Sequence, residues 1–314
     1  MMKNIFLVTG ATGFIGANLV KALVNLGQNV NIIVRDSKLN WRISDIADKL
    51  NIFECDIQDS KLERIIDKIK PHYIFHLAGY GNLPHEDDIY KMIDVNLKGT
   101  INLLNAVKRN SFKLFINTGS SAEYGVKDLE MKESDVLSPI NNYGVIKSAI
   151  TLYCQKEAIR NNLPIINFRL FTPYGYFEGK NRLIPDVAMS ALEERPIKVS
   201  SPTHVRDFIF IEDVIDIYLH AVEMQHIPGE IYNIGRGIQY SVKDIVEKIL
   251  AITKSKSKIE WHAVKKQARY IEPKNWVANM SKTKKILRWK PKNTIDSGLR
   301  KAIQWFREHK NLYN

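Results

Sequence analysis

Tyr143 and Lys147 stand four residues apart in the stretch NNYGVIKSAI, which has the character of a helix, so their side chains share one face. A free tyrosine has a pKa near ~10 and is a poor acid or base at neutral pH. An ammonium one helical turn away stabilises the phenolate and moves it toward the working range. Tyr143 is therefore a candidate proton shuttle, with Lys147 as the charge that tunes it. Such a pair also arises by chance on helix surfaces. What singles this one out is INTGSSAEYG, where a strand ends in small and hydroxyl residues. Ser120 would stand at the carboxyl end of that strand, at the edge of the cleft where open α/β sheets bind ligands, with a hydroxyl able to hold a substrate oxygen. Ser121 is a second candidate, although a plain turn residue would look the same.

A second constellation opens the chain. VTGATGFIGANLV places Gly10, Gly13 and Gly16 between an apolar run and a helix-like stretch. Glycine is costly inside regular structure, so three at even spacing suggest close approach of the backbone to something bulky. A strand ending at Val8 and a helix from about Phe14 would turn backbone N–H groups and the positive helix end toward a pyrophosphate. Gly10, Gly13, Phe14, Ile15 and Gly16 are the candidate contacts. The spacing G-x-x-G-x-x-G differs from the G-x-G-x-x-G dinucleotide fingerprint. At the end of the second strand, VRDSK puts Arg35 before Asp36. An arginine there favours the 2′-phosphate of NADP, and the neighbouring aspartate leaves NAD open.

These residues need a scaffold, and the chain supplies an alternation. Strand candidates lie at 4–8, 30–34, 51–55, 73–78, 113–118 and 164–170, with helix-like stretches near 14–26, 58–69, 87–108 and 141–161. Strands alternating with helices imply βαβ crossovers and a parallel sheet. The expected fold is a Rossmann-type, doubly wound α/β sheet carrying a smaller, mostly C-terminal α/β substrate domain. The rhythm changes after Leu170. Residues 1–170, joined by about 206–235, are expected to hold the dinucleotide, 171–205 and about 236–290 to form the smaller domain, and 291–314 a C-terminal helix.

Bulk properties remove several classes. The chain has 314 residues, 45% of them hydrophobic, which suits an ordinary folded protein. The stretch before Gly10 is too short for a leader peptide, and no apolar run approaches the roughly 20 residues of a membrane span. A cytoplasmic protein is expected. Cys55 and Cys154 lie far apart, outside any cluster, so neither disulfides nor a metal site are indicated. The formal charge is +12, with thirteen Lys/Arg against two acids in 254–292. Without an RNA-binding or helix-turn-helix pattern, that stretch reads as a solvated face or a focusing field for an anionic small molecule rather than a nucleic-acid footprint.

In order along nearly the whole chain, TGATGFIG, CDIQD, HLAG, VNLKGT, TGSSAEYG, YGVIK, FRLFTPYG, VRDFIFIEDV, YNIGRG and LRWKPK resemble the extended short-chain dehydrogenases/reductases, the group of nucleotide-sugar epimerases, dehydratases and reductases. The resemblance implies that Asp56 and Ile57 lie against the adenine and that Leu77 and Ala78 line the cofactor cleft. It also implies that Ser120, Tyr143 and Lys147 form the acid/base triad, with Lys147 on the nicotinamide ribose. Arg206 matches the arginine that meets the substrate diphosphate, which suits a two-pronged guanidinium. Tyr80 lies in the loop that would face the sugar, Thr172 replaces a diphosphate-touching asparagine, and Arg269 is placed to reach the nucleotide. Relatives pair through two helices each, which matches 87–108 and 141–161 and points to a homodimer or higher oligomer.

Sugar 4,6-dehydratases of this type carry an Asp-Glu pair directly after the catalytic hydroxyl. Here those positions are Ser121 and Ala122, so dehydration lacks its carboxylates. The expected reaction is NAD(P)-dependent hydride transfer at C4 of a nucleotide-diphosphate sugar, as 4-keto reduction or 4-hydroxyl oxidation. The alternatives are 4-epimerisation with retained cofactor, a reductase of small hydrophobic carbonyl compounds, and a non-catalytic dinucleotide-binding scaffold.

Overall fold

Short runs of β-branched and aromatic residues form the strands of the first unit: β1 (Ile5–Thr9), β2 (Asn29–Val34), β3 (Asn51–Glu54), β4 (Tyr73–His76), β5 (Leu114–Ser120) and β6 (Ile165–Leu170). The computed structural model describes residues 4–36, 41–81, 86–263 and 273–313. This first unit comprises Met1–Gly125, Glu133–Leu170 and Ile215–Asn233. Its sheet runs β6-β5-β4-β1-β2-β3 with every one of these pairs parallel, and the strand Ile231–Ile234 joins beside β6. The order reverses between β1 and β4, which is where an open sheet of this kind leaves a crevice at its carboxyl ends. The sheet is a seven-stranded Rossmann-like one, as the alternation implied.

Helices α1 (Phe14–Asn25), α2 (Lys61–Ile69), α3 (Ile89–Met92), α4 (Gly99–Val107) and α5 (Asn142–Asn161) make the crossovers. The stretch 87–108, read as one helix, is interrupted: between α3 and α4 the chain takes a π-helical turn, Ile93–Lys98. A core of Leu7, Ile33, Ile66, Ile74, Leu103, Leu104, Phe115, Ile150 and Cys154 fills one side of the sheet.

The second unit, Val126–Lys132, Phe171–Val214 and Ile234–Asn314, holds β7 (Thr172–Tyr174), β8 (Ile197–Lys198) and β9 (Val205–Phe210). The strand Ile231–Ile234 is β10, followed by β11 (Gln239–Ser241) and β12 (Ile259–Glu260). β9 was expected with the dinucleotide-binding part, within 206–235. It lies instead in the second unit, because β11 pairs antiparallel and β7 parallel on its two edges. Segment 126–132 also belongs there, since Met131 donates to the Val277 carbonyl at 2.9 Å. Around these strands lie α6 (Leu183–Leu192), the start of α7 (Ile211–Val222), α8 (Val242–Thr253), α9 (Ser281–Ile286) and α10 (Ile295–Glu308). The C-terminal helix is thus part of this unit. Among the described residues no helix is long and apolar enough to cross a membrane.

One contact fixes how α1 meets β1. A Cβ on Gly16 would stand 2.1 Å from the Gly10 carbonyl oxygen and 2.9 Å from Ala11 Cα, so only a hydrogen fits. Because the obstacle is backbone and cannot rotate away, Gly16→Ala is expected to cost about 3 kcal/mol, the upper part of the usual overpacking range. A urea unfolding midpoint measured against the parent protein checks this.

Candidate active site

The loop after β1 is shaped by the same close packing. Gly10 adopts φ +72°, and a Cβ there would lie 2.6 Å from the Leu77 carbonyl carbon and the Ala78 nitrogen. The glycine therefore lets the loops following β1 and β4 lie against each other, and Leu77 N donates to Thr9 O at 3.2 Å. Gly13 is the N-cap of α1 and is exposed, no side chain caps it, and the first turn carrying Phe14, Ile15 and Gly16 holds no acid. A helix start with N–H groups and no side-chain acceptor suits an anion. Arg35 and Asp36 follow β2, both exposed. Asp56, after β3, turns its carboxylate back onto the Gln58 N–H at 3.0 Å, and buried Ile57 packs on Gly99. The residues expected to hold a dinucleotide thus come together along the carboxyl ends of β1, β2, β3 and β4, and the uncapped, glycine-lined turn fits a pyrophosphate.

Behind Ala78 runs a buried hydrogen-bond chain that the sequence did not foretell. Thr100 Oγ1 donates to the Asn96 carbonyl at 2.5 Å, so it must accept from His76 Nε2 at 2.8 Å. His76 Nδ1 then accepts from Thr9 Oγ1 at 2.7 Å, which in turn accepts the Ala78 N–H at 3.3 Å. Only a neutral imidazole serves this chain, and burial, with the Lys147 charge in support, lowers the His76 pKa to about 3. Asn96 sits in the π-helical turn, where its amide binds both the N–H and the carbonyl of Tyr80 at 2.7 Å. Lys91 Nζ lies 4.5 Å from the centroid of the Tyr80 ring. The signal for Asn96 was present in VNLKGT, but its partner sixteen residues earlier was not readable.

Ser120 is the last residue of β5, and Tyr143 the second of α5. The elements that carry them meet at Gly144, where a Cβ would stand 2.4 Å from the Ala122 carbonyl oxygen and 2.9 Å from Pro139. The helix start therefore rests directly on the turn after Ser120. Asn141 caps it, accepting from Gly144 N at 2.7 Å. Tyr143 is half-buried, its ring against the core. Lys147 is buried, donates to the Thr118 carbonyl at 2.9 Å and holds its ammonium 5.7 Å from the centroid of the Tyr143 ring. Burial pulls the Lys147 pKa down, with the negative charge of Glu123 opposing it. Three residues expected to do acid/base chemistry are thereby gathered at the end of β5, and Ser121 lies beside them, buried.

Glu123 is the carboxylate of the turn that follows β5. It points into the interior, fully buried, where Arg169 Nε donates to it at 2.7 Å, Thr151 Oγ1 at 3.1 Å and Ser120 N at 2.8 Å. Burial works against the Arg169 cation, but Glu123 and Tyr124 together more than offset this and raise its pKa. The guanidinium lies 4.7 Å from the Tyr124 ring centroid, and Tyr124 donates to Asn233 at 2.6 Å. Sequence inspection missed Glu123 and Arg169, which are 46 residues apart.

In the second unit, Arg206 lies on β9 with its guanidinium 5.0 Å from the Trp276 ring centroid and Nη1 donating to the Val205 carbonyl at 2.7 Å. Next to it, buried Asp207 accepts from the N–H groups of Arg236 and Gly237 at 2.8 Å and Ala278 at 3.1 Å. Burial raises its pKa to about 6 against those three bonds. Thr172 starts β7, half-buried and level with Phe208. Arg269 lies outside the described residues.

The model of the NAD dependent epimerase/dehydratase family matches residues 6–235. The chain is 27% identical to a UDP-glucose 4-epimerase of Lactobacillus helveticus, covering 98% of both chains. It is 28% identical to a dTDP-D-glucose 4,6-dehydratase of Mus musculus, covering 98% of this chain and 89% of the other. Among solved structures it is similar to the UDP-glucuronic acid 4-epimerase from Bacillus cereus in complex with UDP-glucuronic acid and NAD, with a TM-score of 0.86, 26% identity, and coverage of 96% of this chain and 99% of that one.

The neutral His76 has a measurable consequence. Its folded pKa, about 3, lies below the ordinary 6.5, so the folded state binds fewer protons than the unfolded one between those values. The stability it contributes is complete above pH 6.5 and is lost as pH falls toward 3. His76→Asn is expected to be less stable than the parent at pH 7, with the gap narrowing progressively at pH 5 and 4. Denaturant titrations of both proteins at each pH check it.

Proposed function

Because the chain belongs to the NAD dependent epimerase/dehydratase family, we propose that it is a nucleotide-sugar oxidoreductase that moves a hydride at C4 of the sugar, by 4-keto reduction or 4-hydroxyl oxidation. The single observation that carries this reading is that Lys147, buried, donates to the Thr118 carbonyl of β5, the strand that Ser120 ends, with its ammonium 5.7 Å from the Tyr143 ring centroid, in the same unit as the glycine turn. The first unit is the dinucleotide-binding part: Gly10, Gly13, Phe14, Ile15 and Gly16 take the pyrophosphate, Asp56 and Ile57 the adenine, and Leu77, Ala78, Tyr143 and Lys147 the nicotinamide end. When bound, the dinucleotide supplies the hydride acceptor or donor. Arg35 favours NADP, whereas the Bacillus cereus relative is in complex with NAD, and Asp36 keeps that choice open.

In the oxidising direction Tyr143, as phenolate, takes the proton of the sugar hydroxyl. In the reducing direction its phenol gives that proton back to the oxygen of the ketone. Lys147 steadies the phenolate charge, and Ser120 donates a hydrogen bond to the same sugar oxygen. The second unit is the nucleotide-sugar part, in which Arg206 grips the diphosphate. Tyr80, Ser121, Thr172 and Arg269 are further substrate contacts. Dehydration is disfavoured, since Ala122 has no carboxyl and the Glu123 carboxylate is spent on Arg169 and Thr151.

4-Epimerisation with retained cofactor uses the same residues, and the relatives named 4-epimerases favour it as the second reading. Absorbance at 340 nm with candidate nucleotide sugars separates the two, because net reduction or oxidation changes it stoichiometrically and epimerisation does not. Tyr143→Phe is expected to lower kcat by roughly 10²- to 10⁴-fold with folding intact, the usual share of a positioned acid/base group. Full activity of that variant would remove Tyr143 from the proton path.

We further propose a homodimer built on α5. Val145, Leu152 and Ile159 recur at seven-residue spacing along it and are 48%, 53% and 65% exposed. An apolar stripe of this length on an otherwise polar face suits a second copy of the same helix. Light scattering is expected to give twice 36.2 kDa for the parent, and about half that value for Leu152→Glu.

A further inference from the structure

We infer that Glu123, locked by Arg169, is a positioning residue that sets the Ser120 hydroxyl as a hydrogen-bond donor toward the sugar oxygen, an inference that rests on the reaction proposed above. Ser120 and Glu123 form a reciprocal capping box around the short turn Ser121–Glu123. Ser120 Oγ accepts the Ala122 N–H at 3.2 Å, and Glu123 Oε1 accepts the Ser120 N–H at 2.8 Å. An Oγ whose lone pair is engaged by a backbone N–H keeps its own proton for another acceptor. The cap thus holds the oxygen in place and leaves its proton free for donation.

Capping boxes ordinarily sit at exposed helix starts, where the acid is solvated. Here the acid is fully buried and so is its partner: Glu123 is 0% and Arg169 1% exposed. The carboxylate joins the end of β5 through Ser120, α5 through Thr151 and β6 through Arg169. At Gly119 a Cβ would stand 2.5 Å from Glu123 Oε1, so only glycine leaves the carboxylate its place. Taking two charges out of water costs several kcal/mol per ion, and apolar replacements of similar volume are often as stable or more so. The stability of the fold alone does not call for such a pair. Its place one bond network away from the reacting hydroxyl points to orientation as its use.

The test compares the parent, Ser120→Ala, Glu123→Gln, the Ser120→Ala/Glu123→Gln double variant, and the volume-matched Glu123→Leu/Arg169→Met. With the nucleotide sugar found in the 340 nm assay, Glu123→Gln is expected to lower kcat roughly ten- to a hundred-fold with KM little changed, less than outright loss of an oriented donor. In the Ser120→Ala background the same substitution is expected to change kcat several-fold less than in the parent, because the hydroxyl is gone and only the effect of the Glu123 charge on Lys147 is left. Equal losses in both backgrounds would overturn the inference and leave a merely structural role. The second readout needs no substrate. Amide hydrogen exchange at Ser120 is expected to accelerate in Glu123→Leu/Arg169→Met while the unfolding midpoint holds. Unchanged exchange at Ser120, or parental kcat in that variant, would also overturn it. Failure of the parent to turn over any nucleotide sugar is a separate result, which bears on the proposed reaction and not on the cap.

Discussion

The candidate site depends on one buried cation. An ammonium taken out of water without compensation is among the most expensive things a fold can hold. Lys147 is 6% exposed, yet it is supported by the Thr118 carbonyl on one side and by the negative charge of Glu123 at longer range. That support exists only if α5 lies close against the end of β5. Closeness in turn is a matter of two small residues: Gly119, which admits the carboxylate, and Gly144, which admits the Ala122 carbonyl. The electrostatics of Tyr143 are thus set by how near two backbones can come.

The same logic governs the neighbouring crossovers. Gly10 and Gly16 bring the β1 turn against both α1 and the loop after β4, so that Thr9, His76 and Thr100 fall into one hydrogen-bonded line. This line is neutral and Lys147 is charged, and the charge is one of the causes that keep the imidazole unprotonated. Two polar groups that would conflict if both were cations are therefore sorted by their surroundings, one into a structural relay and the other into the site.

Much of this was legible in the residue order. The alternation of β-branched runs with longer periodic stretches implied the parallel sheet, because each signal is local. Gly10, Gly13, Gly16, Tyr143 and Lys147 were legible for the same reason, as spacings of three and four. The Glu123–Arg169 pair was not, since a buried ion pair between a turn and a strand leaves no periodic trace, and Glu123 read as part of a hydroxyl-rich turn. The strand 205–210 was recognised as a strand but assigned to the wrong unit, because pattern reveals a strand and not the edges it pairs with. The π-helical turn was hidden as well, since its residues carry ordinary helical composition.

That turn constrains the chain in length as much as in chemistry. It contains Asn96, whose amide clamps Tyr80 while its carbonyl takes Thr100, so both faces of one residue are committed. An α-helix advances by about 100° per residue. Shortening 93–98 by one position would restore a regular spiral and swing Asn96 by that angle relative to α4. The helix thus carries a fixed tally of residues, and a one-residue gap there would disengage the β4 loop even if every side chain in it were retained.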